Sequence, residues 1–305
     1  MLFRSEHSDV SAFGDAGLRL SGALCRFWEI RGHITEGRKL LARALESPEG
    51  RTSTTSVAKA LNGAGMLALR QGDYPVAREL FEQALTINRK LNNRSWETLN
   101  LNNLGIVAYA QADYISANAL YEQALAISRE IGNRATEALN LGNLGVVTFE
   151  QRHFPEARAL HEQALTIYQD MGDRFGEAMA LYNIGNTFFS QEDYRQARTL
   201  YEQALMIDRE LDAPYPMVHR FGALATIAIA VRQPERAARL YGAEEALREE
   251  IGAPIPSHER ANYDRDVSLA RNTLGDAASF DVAWQEGRNM SLASAIEYAL
   301  LEERE

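Results

Sequence analysis

Gly65, Gly105, Gly145 and Gly185 stand 40 residues apart, and Ala77, Ala117, Ala157 and Ala197 follow them by twelve residues each. Four copies of Glu-Gln-Ala-Leu, beginning at Glu82, Glu122, Glu162 and Glu202, keep the same register. A fixed period with small residues in phase means that each unit buries its apolar face on the next, which excludes one compact globule. The register reaches further: Cys25 and Ala225 hold the glycine position, and Gly37 and Ala237 the alanine position. Six units result. Cys25 is the single cysteine, so it reads as a small packing residue rather than half of an internal disulfide or a nucleophile.

Within one unit, residues 97–133, Leu101, Leu104, Gly105 and Ala108 share one helical face at i, i+3, i+4, i+7 spacing. Gln111-Ala-Asp113-Tyr114 interrupts the pattern, and a second helix follows with Ala117, Leu120, Tyr121, Ala124, Leu125 and Ile127 as its stripe. Gly132 suits a left-handed helix end and Asn133 caps the next helix, a place also held by Asn93 and Asp173. The expected fold is all-α, a right-handed α-solenoid of six helical hairpins plus C-terminal capping helices. Glycine and alanine would let the two helices of a hairpin approach closely.

The Leu-Gly pair, the alanine, the aromatic at Phe81, Tyr121 and Tyr201, and the second alanine resemble the tetratricopeptide repeat over about residues 20–245. The unit exceeds the family's usual length, and Leu-Asn-Asn-Leu-Gly looks like the long-repeat branch found in kinesin light chains, cell-polarity adaptors and bacterial peptide-pheromone receptors. His161 replaces the aromatic in one copy and reads as a core histidine with its hydrogen bonds satisfied.

First helices of such hairpins line the concave side. Opposite the Leu-Gly stripe they carry Asn102, Asn103 and Tyr109, then Asn143 and Phe149, then Tyr182, Asn183, Asn186 and Phe189. Asn103, Asn143 and Asn183 recur once per repeat beside Tyr109, Phe149 and Phe189, whereas the flanking units carry Gly63, Ala223, Leu69 and Ile229 there. An asparagine amide both donates and accepts, so it pairs with an extended peptide backbone. Related repeats use groove asparagines in this way. The other reading has the asparagines bridging neighbouring helices and the aromatics packing between repeats. Basic residues on this stripe, Arg26, Lys59 and Arg70, are confined to the first units, which disfavours a partner ending in a carboxylate. Glu244, Glu245, Glu249 and Glu250 read as a solvated flank.

Gly252-Ala-Pro254-Ile-Pro256 stops the repeats, and Ser257 is placed to cap a new helix. Two further helices are expected near 276–288 and 292–303, where Phe280, Trp284, Leu292, Ile296 and Leu300 would cover the last repeat. The expected organisation is a lead-in over 1–16, repeats over 17–252 (units near 17–50, 57–92, 97–132, 137–172, 177–212 and 217–252) and caps over 257–305. Arg26-Phe27-Trp28 to Leu41 and Gly275-Asp-Ala-Ala-Ser-Phe280 to Leu300 are similar to the C-terminal repeat region of bacterial STAND-class ATPase transcriptional regulators. That resemblance implies a sensor or autoinhibitory arm, with an ATPase or effector domain of the same regulator as a partner.

No phosphate-binding loop, His-Glu-x-x-His or Gly-x-Ser-x-Gly motif occurs, so the expectation is a binding scaffold without catalysis, metal or cofactor. A net charge of -10 argues against nucleic acid as a partner, and no apolar run is long enough for a membrane span or a leader. A cytoplasmic protein taking a protein or peptide partner is expected. The alternative is a small-molecule sensor. Recognition along several repeats would favour a peptide, and a compact pocket in one or two repeats a small ligand.

Overall fold

The computed structural model describes Ala16, residues 18–20, Gly22, Leu24, Cys25, Phe27, Trp28, 33–46 and 54–301. The expected lead-in before Ala16, Arg26 and the last two residues of the expected final helix lie outside them. The described residues form an all-α fold in two compact units, Met1–Gln151 and Arg152–Glu305.

The first unit contains α1 (Ile34–Glu46), α2 (Thr55–Arg70), α3 (Tyr74–Lys90), α4 (Arg94–Ala110), α5 (Tyr114–Glu130) and α6 (Arg134–Glu150). The second contains α7 (Phe154–Met171), α8 (Arg174–Ser190), α9 (Tyr194–Glu210), α10 (Pro214–Ala230), α11 (Pro234–Glu250), α12 (Ser257–Leu274), α13 (Ala277–Arg288) and α14 (Leu292–Leu300). The 40-residue period resolves into two helices of 17 residues, each about 25 Å long, and two three-residue turns.

Each turn places its middle residue in the left-handed region, so the backbone itself repeats every 20 residues. Gly72, Gly132, Gly172 and Gly252 adopt φ between 65° and 73°, while Asn92, Ala112, Arg152, Glu192, Asp212 and Arg232 adopt φ between 50° and 64°. The third turn residue caps the next helix as expected: Asn93, Asn133 and Asp173 accept from the backbone N–H of Trp96, Thr136 and Gly176.

The repeated glycine has a more specific cause than close approach of two backbones. A Cβ at Gly65, Gly105 or Gly185 would meet the ring of Phe81, Tyr121 or Tyr201 at 2.5–2.6 Å. The aromatic of the second helix therefore occupies the space that a side chain on the first helix would take. The repeated alanines Ala77, Ala117, Ala157, Ala197 and Ala237 are fully buried.

Successive hairpins are joined by a buried pair twelve residues apart that the apolar pattern does not reveal. Asn88 donates to Asn100 at 2.8 Å, Asn140 to Ser128 at 3.2 Å, and Arg220 to Asp208 at 3.0 Å. At the equivalent place Tyr168 takes its space from Gly176, whose added Cβ would lie 2.3 Å from the ring.

After the repeats, α12 begins at Ser257 with Pro256 as its flanking residue, so proline rather than Ser257 occupies the N-cap position. Phe280 is buried with Ala228, Ala237, Ala238 and Ala283, and Ile296 with Leu205, Leu240 and Leu247. Trp284, Leu292 and Leu300 pack partly buried against the same core. The final helix ends at Leu300, earlier than the sequence suggests: Leu301 turns to extended backbone, and Arg236 donates to the carbonyl of Ala299 at 2.9 Å.

The expectation of a solvated flank at 244–250 is incorrect for its first members. Glu244 is buried and accepts from Arg248 at 2.9 Å. Glu245 accepts from the Trp284 indole at 3.0 Å and from Arg288, which also bonds Glu249 at 2.7 Å. Glu244 is thus held within α11, while Glu245 and Glu249 fasten α13 to α11 through Arg288, with Glu249 still exposed to water as expected. No helix of the described residues is long and apolar enough to cross a membrane.

Candidate partner-binding surface

In the first unit, the asparagines expected to face a partner are partly occupied within the fold. Asn102 is 3% exposed and donates to Asn140 at 2.8 Å, so it lies beneath the open face and not on it. Asn103 is half-buried, and its amide donates to Asn62 at 2.8 Å while Asn100 donates to the same oxygen at 3.0 Å. This is the helix-bridging arrangement. Asn143 remains half-buried at the surface, with its Nδ2 covered and without a hydrogen-bond partner. Phe149 is half-buried. Tyr109 donates to Glu150 at 3.3 Å and packs against Tyr114, and burial together with the Glu150 charge pushes its pKa up to about 12. A cavity of about 920 Å³ beside α2, lined by Cys25, Asn62, Met66 and Trp96 among others, includes none of the expected side chains.

In the second unit, three of them come together. Tyr182, Asn186 and Phe189 line a pocket of about 290 Å³ with Tyr201, Thr226, Tyr241, Glu244, Arg248, Tyr263 and Asp266 among its other walls. Helix periodicity explains the first wall: 175, 179, 182, 183, 186 and 189 follow the spacing of one helical face. The second wall repeats it one unit later through His219, Gly222, Ala223 and Thr226 of α10. Asn183 shares the face of Tyr182 and is half-buried, but it does not line the pocket.

The pocket's polar groups are ordered. Tyr201 donates to Asn186 at 2.7 Å, which commits the amide oxygen and leaves its N–H groups directed elsewhere. Tyr241 and Thr226 share a hydrogen bond of 3.1 Å. Tyr263 packs edge-on against Tyr241 at 5.4 Å, and its buried hydroxyl has no hydrogen-bond partner. Burial raises the Tyr263 pKa first, and the neighbouring Glu244 and Glu245 charges raise it further. Beneath the floor, the Arg220 guanidinium lies 4.2 Å from the Tyr182 ring centre and fixes that ring in place.

Beside the pocket the open face is apolar. Phe175 and Met179 on α8 and Tyr215 on α10 are 52%, 37% and 58% exposed. Phe175 precedes Met179 by four residues and Tyr215 precedes His219 by four, so each pair shares one face of its helix, with Tyr215 edge-on to His219 at 5.6 Å.

A model of the tetratricopeptide repeat matches residues 56–130, 96–170 and 135–210, an overlapping stretch of just over half the chain. The chain belongs to the tetratricopeptide repeat family. Among solved structures, these repeats are similar to the STAND protein with a tetratricopeptide repeat sensor, PH0952, from Pyrococcus horikoshii. The identity is 14% and the TM-score 0.65, with 91% of this chain and 43% of that one covered. BtubC from P. vanneervenii is 20% identical, with a TM-score of 0.58 over 74% of this chain and 92% of that one. NprR, solved in complex with its cognate peptide NprX, is 14% identical, with a TM-score of 0.58 over 90% of this chain and 77% of that one. At these identities the likeness establishes the fold alone. No curated protein matches the chain.

Sequence reasoning placed Tyr182, Asn186 and Phe189 on a common face but missed the opposite wall. Tyr241, Glu244 and Arg248 belong to a second helix, and Tyr263 and Asp266 to α12 beyond the repeats. Repeat periodicity carries no signal for α12. The one local sign was Glu244 itself, a carboxylate in the middle of a helix whose neighbours at 243 and 247 are apolar.

Proposed function

We propose that the chain is a protein- or peptide-binding module of a regulatory kind, taking an extended partner on the open faces of its first helices. The observation that carries this reading is the exposed apolar row of Phe175, Met179 and Tyr215 beside half-buried Asn183. Apolar side chains this large, grouped on one face, mark an interaction surface. Asn183 has amide capacity for a partner backbone, Asn143 offers only its carbonyl oxygen because its Nδ2 is covered, and Asn103 contributes through whatever its bond to Asn62 leaves. NprR, a neighbour in fold, is solved with a cognate peptide, which supports the same reading.

A second reading rests on the pocket, whose compactness within neighbouring repeats favours a small ligand and a sensor arm. The likeness to a STAND protein with a tetratricopeptide repeat sensor supports it.

Selection from a random-peptide library on the full chain separates the two. Peptides captured by the native chain and lost by a folded Asn143→Ala, Asn183→Ala variant support backbone reading by these amides. Equal capture by both removes the asparagines from the site. No capture by either removes the peptide reading and leaves the sensor.

A further inference from the structure

The pocket of the second unit has a chemistry that neither repeat packing nor backbone recognition requires. Five aromatic rings, those of Tyr182, Phe189, Tyr201, Tyr241 and Tyr263, contribute to its walls. Aromatic faces carry negative electrostatic potential and attract cations. Of its charged lining groups, Glu244 and Asp266 are negative and Arg248 is positive, with His219 the remaining titratable side chain outside the tyrosines. Arg248 is spent on Glu244 at 2.9 Å and on the carbonyl of Ala253 at 3.5 Å, while Asp266 pairs only with the outward Arg265 at 3.0 Å. Counted over its lining side chains alone, the pocket carries one net negative charge, that of Asp266, whose partner Arg265 stands outside the lining, and the buried phenol oxygen of Tyr263 has no hydrogen-bond partner.

The geometry points to this pocket as the anchor for a positively charged side chain, arginine or lysine, of the peptide partner proposed above. The inference rests on that peptide reading for the source of the cation. Its occupant extends onto Phe175, Met179 and Tyr215 through a neighbouring apolar residue, which a free cation lacks. The net charge of -10 on the whole chain favours approach of a basic partner over an acidic one.

The test uses the full chain and three probes, N-acetyl-arginine amide, N-acetyl-citrulline amide and acetyl-Arg-Gly-Leu amide. The indole resonance of Trp284 reports binding, because that ring stacks on Tyr241 at 6.5 Å. The expected result is saturable binding of the arginine probe, weakened about fivefold or more when citrulline replaces it or when Asp266→Asn removes the half-buried charge. The tripeptide is expected to bind more tightly than the arginine probe. Glu244→Gln serves as a second variant, with amide exchange in α11 confirming that the helix remains folded. Equal binding of citrulline, no effect of Asp266→Asn, or no saturable shift with either arginine probe overturns the inference. Tripeptide binding no tighter than that of the arginine probe overturns the peptide source and leaves a site for a free cation. If library peptides are still captured while both arginine probes are silent, this inference falls and the peptide reading stands. If the library captures nothing and the arginine probe binds, the peptide reading falls instead.

Discussion

His161 shows what a repeat loses when one side chain departs from its pattern. It occupies the place of Phe81, Tyr121 and Tyr201 and is 1% exposed, so the expectation of a core histidine was correct. The expectation that its hydrogen bonds are satisfied was not, since Nδ1 has no partner. Burial pushes the imidazole pKa down to about 4, so the folded chain holds it neutral. With an unfolded value near 6.5, the unfolded chain binds the proton first as pH falls. The contribution is fully present above pH 6.5 and is lost progressively down to about pH 4, amounting to as much as about 3 kcal/mol. His161→Phe is therefore expected to flatten the dependence of stability on pH across that window, measured by urea denaturation at pH 7 and pH 4.5. An unchanged slope would mean that the imidazole is protonated within the fold.

At the scale of elements, the sequence revealed the hairpins but not what distinguishes one junction from the next. Gly105 and Ala117 are legible because they recur. Asn88 with Asn100, Ser128 with Asn140, Tyr168 with Gly176, and Asp208 with Arg220 are not, because each junction uses different chemistry at one position. A repeat sequence packs almost as well one unit out of step, and unlike buried pairs penalise such slips because a misplaced partner leaves a polar group unsatisfied. The open face was partly legible for the same reason. Tyr182, Asn186 and Phe189 follow helical spacing, whereas the burial of Asn102 depends on Asn140 from the next repeat. Asp208 and Arg220 make the sharpest test, being 0% and 1% exposed. Asp208→Ala leaves a buried guanidinium facing the Tyr182 ring and the Met179 sulfur without its carboxylate and is expected to cost about 3 kcal/mol or more. Replacing both with asparagine copies the Asn88–Asn100 pair and is expected to recover more than half of that loss in denaturant titrations. No recovery would assign the junction to packing rather than pairing.

On the scale of the whole molecule, the second unit is closed by elements that do not repeat. The helices α13 and α14 bury Phe280, Ala283, Ala295, Ile296 and Ala299 against α9, α10 and α11. The contact is close enough that a Cβ on Gly242 would lie 2.2 Å from the Trp284 carbonyl, and one on Gly287 would lie 1.9 Å from that of Arg239. Backbone therefore meets backbone where α11 and α13 cross, and Glu245 and Glu249 clamp Arg288 beside the crossing. Stability in a repeat array is carried by nearest neighbours, so the benefit of this cap falls on the helices it touches. Ending the chain after Leu274 removes α13 and α14 and uncovers Ala228, Ala237, Ala238 and Leu240. The expected outcome is faster amide exchange throughout α10 and α11, a smaller effect in α8, and unchanged protection in α4 and α5 of the first unit. The pocket is expected to weaken with its wall, because Tyr241 rests on Trp284 and Glu245 holds that indole. Exchange that accelerates equally in both units would show that the cap sets the cooperativity of the entire chain, and unchanged exchange in α10 and α11 would show that the repeats need no closure there.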